Sequence, residues 1–218
     1  MIPQAYLFEW RQHAPWPSES QIEQDLVISR ALVEIFSDEE LATKLAFRGG
    51  TALHKLFFTP ASRYSEDIDL VQLKGEPIGP LVSKLRSQLD SWLGEPKRDF
   101  ADGTVTLLYR FQSETPPSVT MRLKIEINSR EHFSVFPLER HDYGVHSRWF
   151  EAKAKITTFK LEELLGTKLR ALYQRRKGRD LFDLYQALTR ESIAWNEVIT
   201  FFQQYIAHQG VKISRAQF

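Results

Sequence analysis

Two short runs of strict alternation constrain this chain more than any other feature. Asp67-Ile68-Asp69-Leu70 and Lys124-Ile125-Glu126-Ile127-Asn128 each set apolar residues between charged or polar ones. Period two is the period of a β-strand, where residues two apart share a face. Asp67 and Asp69 therefore point together, with Ile68 and Leu70 turned to a core. Glu126 shares a face with Lys124 and Asn128, opposite Ile125 and Ile127. Two carboxylates so close are unfavourable unless a cation lies between them, and carboxylate oxygens are the ligands Mg²⁺ prefers. A third carboxylate, Glu126, beside the pair would complete a cradle for two divalent cations, the clamp used in phosphoryl transfer. Taken singly, each run equally describes a strand with one face in solvent.

The flanking sequence predicts the rest of the architecture. A helix follows Ser18 and Ser20, carried by Ile22, Leu26, Val27, Leu32, Val33 and Ile35. Ala46-Phe47 reads as a short strand closed by Gly49-Gly50, and Thr51 opens a helix that Pro60 stops. Ile68 to Leu73 is a strand and Pro77 to Leu93 a helix. Val105 to Phe111 and Val119 to Ile127 alternate as two strands around the Pro116-Pro117 turn. Phe150 to Ile156 is a further strand. Helices follow over Leu161 to Gln174, Arg179 to Leu188 and Trp195 to His208. The expected class is α/β (α+β), a mixed sheet flanked by helices (residues 1–155) followed by a C-terminal helical region (156–218).

Three further elements carry chemistry. Arg48-Gly49-Gly50-Thr51 joins a strand to a helix, where glycines let the backbone approach a ligand and the helix start favours an anion. The same residues also describe a tight turn with a threonine cap. Lys168 falls within the apolar stripe Leu161, Leu164, Leu165, Leu169 and Leu172, a costly place unless it reaches a partner or snorkels to water. In Arg175-Arg176-Lys177-Gly178-Arg179-Asp180-Leu181-Phe182-Asp183-Leu184-Tyr185, a buried face of Leu181, Leu184, Tyr185 and Leu188 is expected. Asp180 would flank that face and Asp183 would lie nearly opposite it, on an exposed ion-pair stripe.

Composition removes whole classes. The 218 residues contain no cysteine, which excludes disulfides, thiolate metal sites and a cysteine nucleophile. No uncharged apolar run approaches the roughly 18 residues of a membrane span, and the N-terminus lacks the pattern of a secretory signal. A cytoplasmic protein is expected. Net charge is +1, yet Glu151 to Arg190 carries ten Lys/Arg against five acids. That local excess describes either a solvated helical surface or a face for phosphate-rich substrates. Phosphate-loop, dinucleotide-fold and nucleophile-elbow motifs are absent. The histidines lack metal-helix spacing, and His54 is expected on a helix surface.

Phe47-Arg48-Gly49-Gly50-Thr51-Ala52-Leu53-His54-Lys55 and Arg63-Tyr64-Ser65-Glu66-Asp67-Ile68-Asp69-Leu70, followed by Lys124 to Ile127 and Lys168 to Tyr185, resemble the AbiEii/AbiGii nucleotidyltransferase toxin family, a branch of the DNA polymerase β-like nucleotidyltransferases. Fifteen residues separate Thr51 from Asp67, longer than the general pattern of that superfamily. The resemblance implies a nucleotidyltransferase-like fold and a Mg²⁺-dependent transfer from a nucleoside triphosphate to RNA, in the first instance the tRNA 3′ end, within a toxin–antitoxin or phage-defence system. It implies that Asp67, Asp69 and Glu126 hold metal, and that Gly49, Gly50, Thr51 and Ser65 contact phosphates. Lys168 would neutralise triphosphate charge, and Asp180 or Asp183 would match the last acidic motif. The implied partner is an antitoxin. Transfer to a small molecule or a protein hydroxyl, and an inert partner-binding domain, stand as alternatives.

Overall fold

The computed structural model describes residues 2–101, 103–114, 116–190, 192–211 and 213. Helices α1 (Gln4–Trp10), α2 (Glu19–Ser37) and α3 (Glu39–Lys44) precede β1 (Leu45–Arg48). The chain continues through α4 (Gly49–Ala52), a π-helical turn (Leu53–Phe57), β2 (Asp67–Gln72) and α5 (Ile78–Leu93). Strands β3 (Lys97–Ala101), β4 (Thr104–Gln112), β5 (Thr120–Asn128), β6 (Glu139–Ser147) and β7 (Phe150–Thr158) follow. Next come helices α6 (Leu161–Arg175), α7 (Gly178–Leu188) and α8 (Trp195–His208). The fold is mixed α/β, with two compact units: Met1–Phe133 with Arg140–Thr158, and Ser134–Glu139 with Phe159–Phe218.

In the first unit the strands form one seven-stranded sheet in the order β3-β4-β5-β2-β1-β7-β6. Strand β2 runs antiparallel to β1 and parallel to β5. Its apolar residues are sealed: Ile68, Leu70, Ile125 and Ile127 are all essentially inaccessible, as the alternation requires. Helix α2 packs along β7 and β5 and is buried almost all round. Such a helix must satisfy its polar residues internally. Glu23 accepts from the Ile2 and Glu114 amides. Asp25 accepts from the Trp10 and Trp16 indoles and pairs with Lys55 at 2.7 Å.

Four elements lacked a readable sequence signal. Strand β3 is exposed at every position, and β6 alternates without an apolar face, so neither shows hydrophobic periodicity. Helices α1 and α3 are only seven and six residues long. One boundary also moves. Helix α4 starts at Gly49 rather than Thr51, so both glycines lie in its first turn. Its continuation widens to π, with the Phe58 amide bonded to the Leu53 carbonyl. His54 is buried rather than on the surface, accepting from the Ser62 amide at Nδ1.

The second unit is built on α6 and α8. Gly166 permits their approach: a Cβ there would lie 2.7 Å from Cβ of Phe201 and 3.1 Å from the Val198 carbonyl oxygen. Glu163, fully buried on α6, accepts from the amides of Val135 and Phe136 and from the Tyr205 hydroxyl. Those bonds tie the segment Ser134–Glu139 to the helices.

Candidate active site

The register of three strands assembles the charged cluster. Arg48 on β1 pairs with Asp69 on β2, and Asp69 pairs with Glu126 on β5. Asp67 stands beside Lys124 in the same ladder. Residues opposite one another in register share a face, so Asp67, Asp69, Lys124 and Glu126 lie together on one face of the sheet. This is the face that alternation predicts to be charged. Among the described residues, no group of three or more His, Asp or Glu side chains is already gathered tightly enough to hold a metal ion.

Lys124 explains how the carboxylates coexist. Its ammonium lies 2.9 Å from Glu126 Oε2 and 3.7 Å from Asp67 Oδ2. Burial lowers the lysine's affinity for its proton, but the hydrogen bond to Glu126 and the charges of Asp67, Glu126 and Asp69 outweigh it and raise the pKa. Asp67 is also raised, first by burial and then by Asp69, Glu66 and Glu126, against the opposing pull of Lys124. Alternation places Lys124 on this face but by itself assigns it no role. Its alternation with Glu126 was the available signal.

Gly49 sits beneath Asp69. Its φ is +82°, a left-handed value that favours glycine. A Cβ there would fall 2.1 Å from Asp69 Oδ2. The two residues are thus fitted to one another: the carboxylate occupies space that only a glycine leaves. Arg48, next door, turns its guanidinium to Glu131 at 3.0 Å.

Thr51 is 1% exposed, and its hydroxyl has two neighbours. It donates to the carbonyl of Asp67 and lies 2.8 Å from Ser65 Oγ. With its proton spent on Asp67, Thr51 accepts from Ser65. The helix that begins at the glycines is thereby bolted to the first residue of β2.

An open cleft of about 640 Å³ adjoins Asp67 and Lys124. Tyr64, Leu108 and Met121 give it apolar surface, Gln24 polar surface, Arg122 and Lys124 positive charge, and Glu66 and Asp67 negative charge. The Gln24 amide also donates to the Arg122 carbonyl, fixing that strand edge to α2. Gln24 carries no legible sequence signal, because it lies in the middle of a buried helix.

In the helical unit, Lys168, Asp180 and Asp183 form their own cluster. Lys168 Nζ lies 3.1 Å from Asp180 Oδ1 and 3.1 Å from Asp183 Oδ2. Arg175 makes a fork with both oxygens of Asp180, at 2.8 and 2.9 Å. Lys168 is buried with a partner on each side rather than snorkelling. The expected orientation of α7 is reversed. Asp180 and Asp183 are fully buried, while Leu181, Tyr185 and Leu188 are more than half exposed. Only Leu184 keeps its expected inward place. Ion pairing, not apolar burial, sets the rotation of this helix.

Similarity to known proteins is consistent with this geometry. Residues 30–218 match the family described as nucleotidyl transferase AbiEii toxin, type IV TA system. The structure is similar to MenT4, a nucleotidyltransferase toxin from Mycobacterium tuberculosis, with a TM-score of 0.72 at 16% identity over 97% of this chain and 73% of that one. A nucleotidyltransferase structure from H. pylori is similar with a TM-score of 0.57 at 20% identity, over 88% of this chain and 79% of that one. At such identities these likenesses speak for the fold. No curated protein matches the sequence. Among the described residues, no helix is long and apolar enough to cross a membrane.

Proposed function

Because the chain belongs to the AbiEii family of nucleotidyltransferase toxins of type IV toxin–antitoxin systems, we propose that it transfers a nucleotide from a nucleoside triphosphate to an RNA acceptor, the tRNA 3′ end, in the cytoplasm. The observation that carries this reading is the in-register placement of Asp67, Asp69 and Glu126 on one sheet face, beside the glycine start of a helix.

The donor set suits Mg²⁺. Three carboxylates supply hard oxygen ligands, and the Lys124 ammonium already stands between two of them as a cation. Asp67, Asp69 and Glu126 are the residues that would hold the metal. Bound Mg²⁺ would offset charge on the attacking and leaving oxygens. The acceptor hydroxyl oxygen bonds to the α-phosphorus, the bond from that phosphorus to the β-bridging oxygen breaks, and pyrophosphate leaves. The hydroxyl proton passes to Glu126 or to water. Gly49 and Gly50 bring backbone amides to the phosphates. Ser65 lies beside them, and Thr51, buried, keeps β2 in position. The chain's contribution is positioning and electrostatics.

Lys168, paired on both sides with Asp180 and Asp183, holds the helical unit together in this reading rather than meeting the triphosphate, and the exposed basic residues Arg176, Lys177 and Arg179 suit an RNA backbone. An antitoxin is the expected partner of a toxin family. The test is incubation of the purified protein with each labelled triphosphate, Mg²⁺ and total RNA. Label entering RNA of tRNA size, lost in Asp69→Asn, is the expected result. Label entering protein or a small molecule instead would replace the acceptor, and no transfer to anything would overturn the reading.

A further inference from the structure

Lys124 has a property that the proposed chemistry does not use. Its cationic head is held by carboxylates from two strands of the candidate site, Asp67 on β2 and Glu126 on its own strand β5. An ammonium carries charge and three donors but cannot take part in holding a triphosphate while it is spent on those oxygens. The same oxygens are the ones a divalent cation would need. Two cations of like charge cannot share them at close range without strong repulsion.

We infer that Lys124 is a tethered competitor of the divalent cation: its ammonium fills the carboxylate cradle of the resting protein, and metal binds only as that ammonium is displaced. The inference rests on the nucleotidyl-transfer reading, because it takes Asp67, Asp69 and Glu126 as the metal's ligands. Three observations support it. The side chain is about one-third exposed, so it has room to move. It also lines the open cleft beside Asp67, which gives the displaced head a wet, polar place to go at little desolvation cost. Lastly, the ammonium touches oxygens of two of the three carboxylates, 2.9 Å from Glu126 Oε2 and 3.7 Å from Asp67 Oδ2, so a metal that shares those ligands must contend with it. Displacement would shift a positive charge from the cradle to the cleft wall, next to Arg122. Metal loading would then prepare the cleft for an anionic ligand. Lys124 is by this account a positioning residue.

The experiment measures Mn²⁺ binding to the full chain by electron paramagnetic resonance, without nucleotide. Melting temperature is followed in parallel with and without Mg²⁺. Lys124→Met keeps the length and removes the charge, and it should bind Mn²⁺ about tenfold more tightly than wild type. Without metal it should melt lower than wild type, and added Mg²⁺ should raise its melting temperature by more than it raises that of wild type. Arg122→Met, which removes a cation of the same cleft two residues along the strand, should leave Mn²⁺ affinity within about twofold of wild type. Unchanged or weaker Mn²⁺ binding in Lys124→Met, with binding abolished in Asp69→Asn, would overturn the competitor role and leave nucleotidyl transfer standing. An equal gain in Arg122→Met would also overturn it, since general electrostatics would then suffice. Absence of Mn²⁺ binding in wild type, Lys124→Met and Asp69→Asn alike would defeat the metal-dependent reading itself.

Discussion

At the scale of single residues, the site depends on fits that tolerate little. Gly49 is required twice, by its positive φ and by the Asp69 carboxylate lying over it. Gly49→Ala should cost about 1–2 kcal/mol in backbone strain. It should also push Asp69 aside, and a displacement of that kind lowers transfer by roughly a hundredfold. Nucleotide incorporation by a variant whose circular dichroism is unchanged tests this; near-normal activity would mean that Asp69 needs no fixed position. Asp67 illustrates the opposite balance. Its carboxyl is raised by burial and by neighbouring acids, so the folded protein binds its proton more readily than the unfolded chain. The negative charge therefore weakens the metal-free fold at neutral pH, and the penalty disappears below the unfolded value near 4. Asp67→Asn should melt up to a few degrees higher at pH 7 in a chelator, show no gain at pH 3.5, and transfer no nucleotide. A lower melting temperature at pH 7 would contradict the burial argument.

At the scale of elements, α7 shows how apolar patterning can be overruled. Its leucine and tyrosine positions have helical spacing, and burial of that face was the natural expectation. The helix instead turns Asp180 and Asp183 inward to Lys168, with Arg175 closing the fork on Asp180. Removing one partner of a buried ion cluster leaves charge uncompensated, at a cost of about 3–5 kcal/mol. Lys168→Met should accordingly lower urea stability by that order. Burial pushes the Asp180 carboxyl up, but the Arg175 hydrogen bond and the Lys168 charge prevail and hold it below the usual carboxylate range. A lowered carboxyl stabilises the fold above its unfolded value and loses that contribution as pH falls from about 4 toward the folded value. Urea midpoints measured from pH 7 down to pH 3 should therefore decline below pH 4 in wild type. The decline should be shallower in Asp180→Asn, and identical slopes would refute the assignment. The β2–β5 ladder is the contrasting case: burial alternates along all of β5 and from Asp67 to Leu70 in β2 before Val71 and Gln72 are both buried, because a strand's faces are set by the backbone alone.

At the scale of the whole molecule, β3 forms one end of the sheet, and its Lys97, Arg98 and Asp99 are all exposed. Charges on an end strand discourage pairing with another chain. Arg98→Val with Asp99→Val should promote concentration-dependent self-association in sedimentation velocity, while leaving the melting temperature within about two degrees. A monodisperse double variant would show that the edge is protected by other means. The same lack of apolar content that protects β3 hid it from the sequence. The central strands, the long helices and the face carrying Asp67, Asp69 and Glu126 were determined by the sequence itself, since local periodicity dictates which side chains share a side. Tertiary structure alone decided that Lys124 stands between Asp67 and Glu126, that Asp69 roofs Gly49, that Thr51 is spent on the Asp67 carbonyl, and that α7 turns its acids inward. Each of these depends on which distant segment supplies a counter-charge or a vacant volume, and that information lies in the register between segments rather than within any one of them.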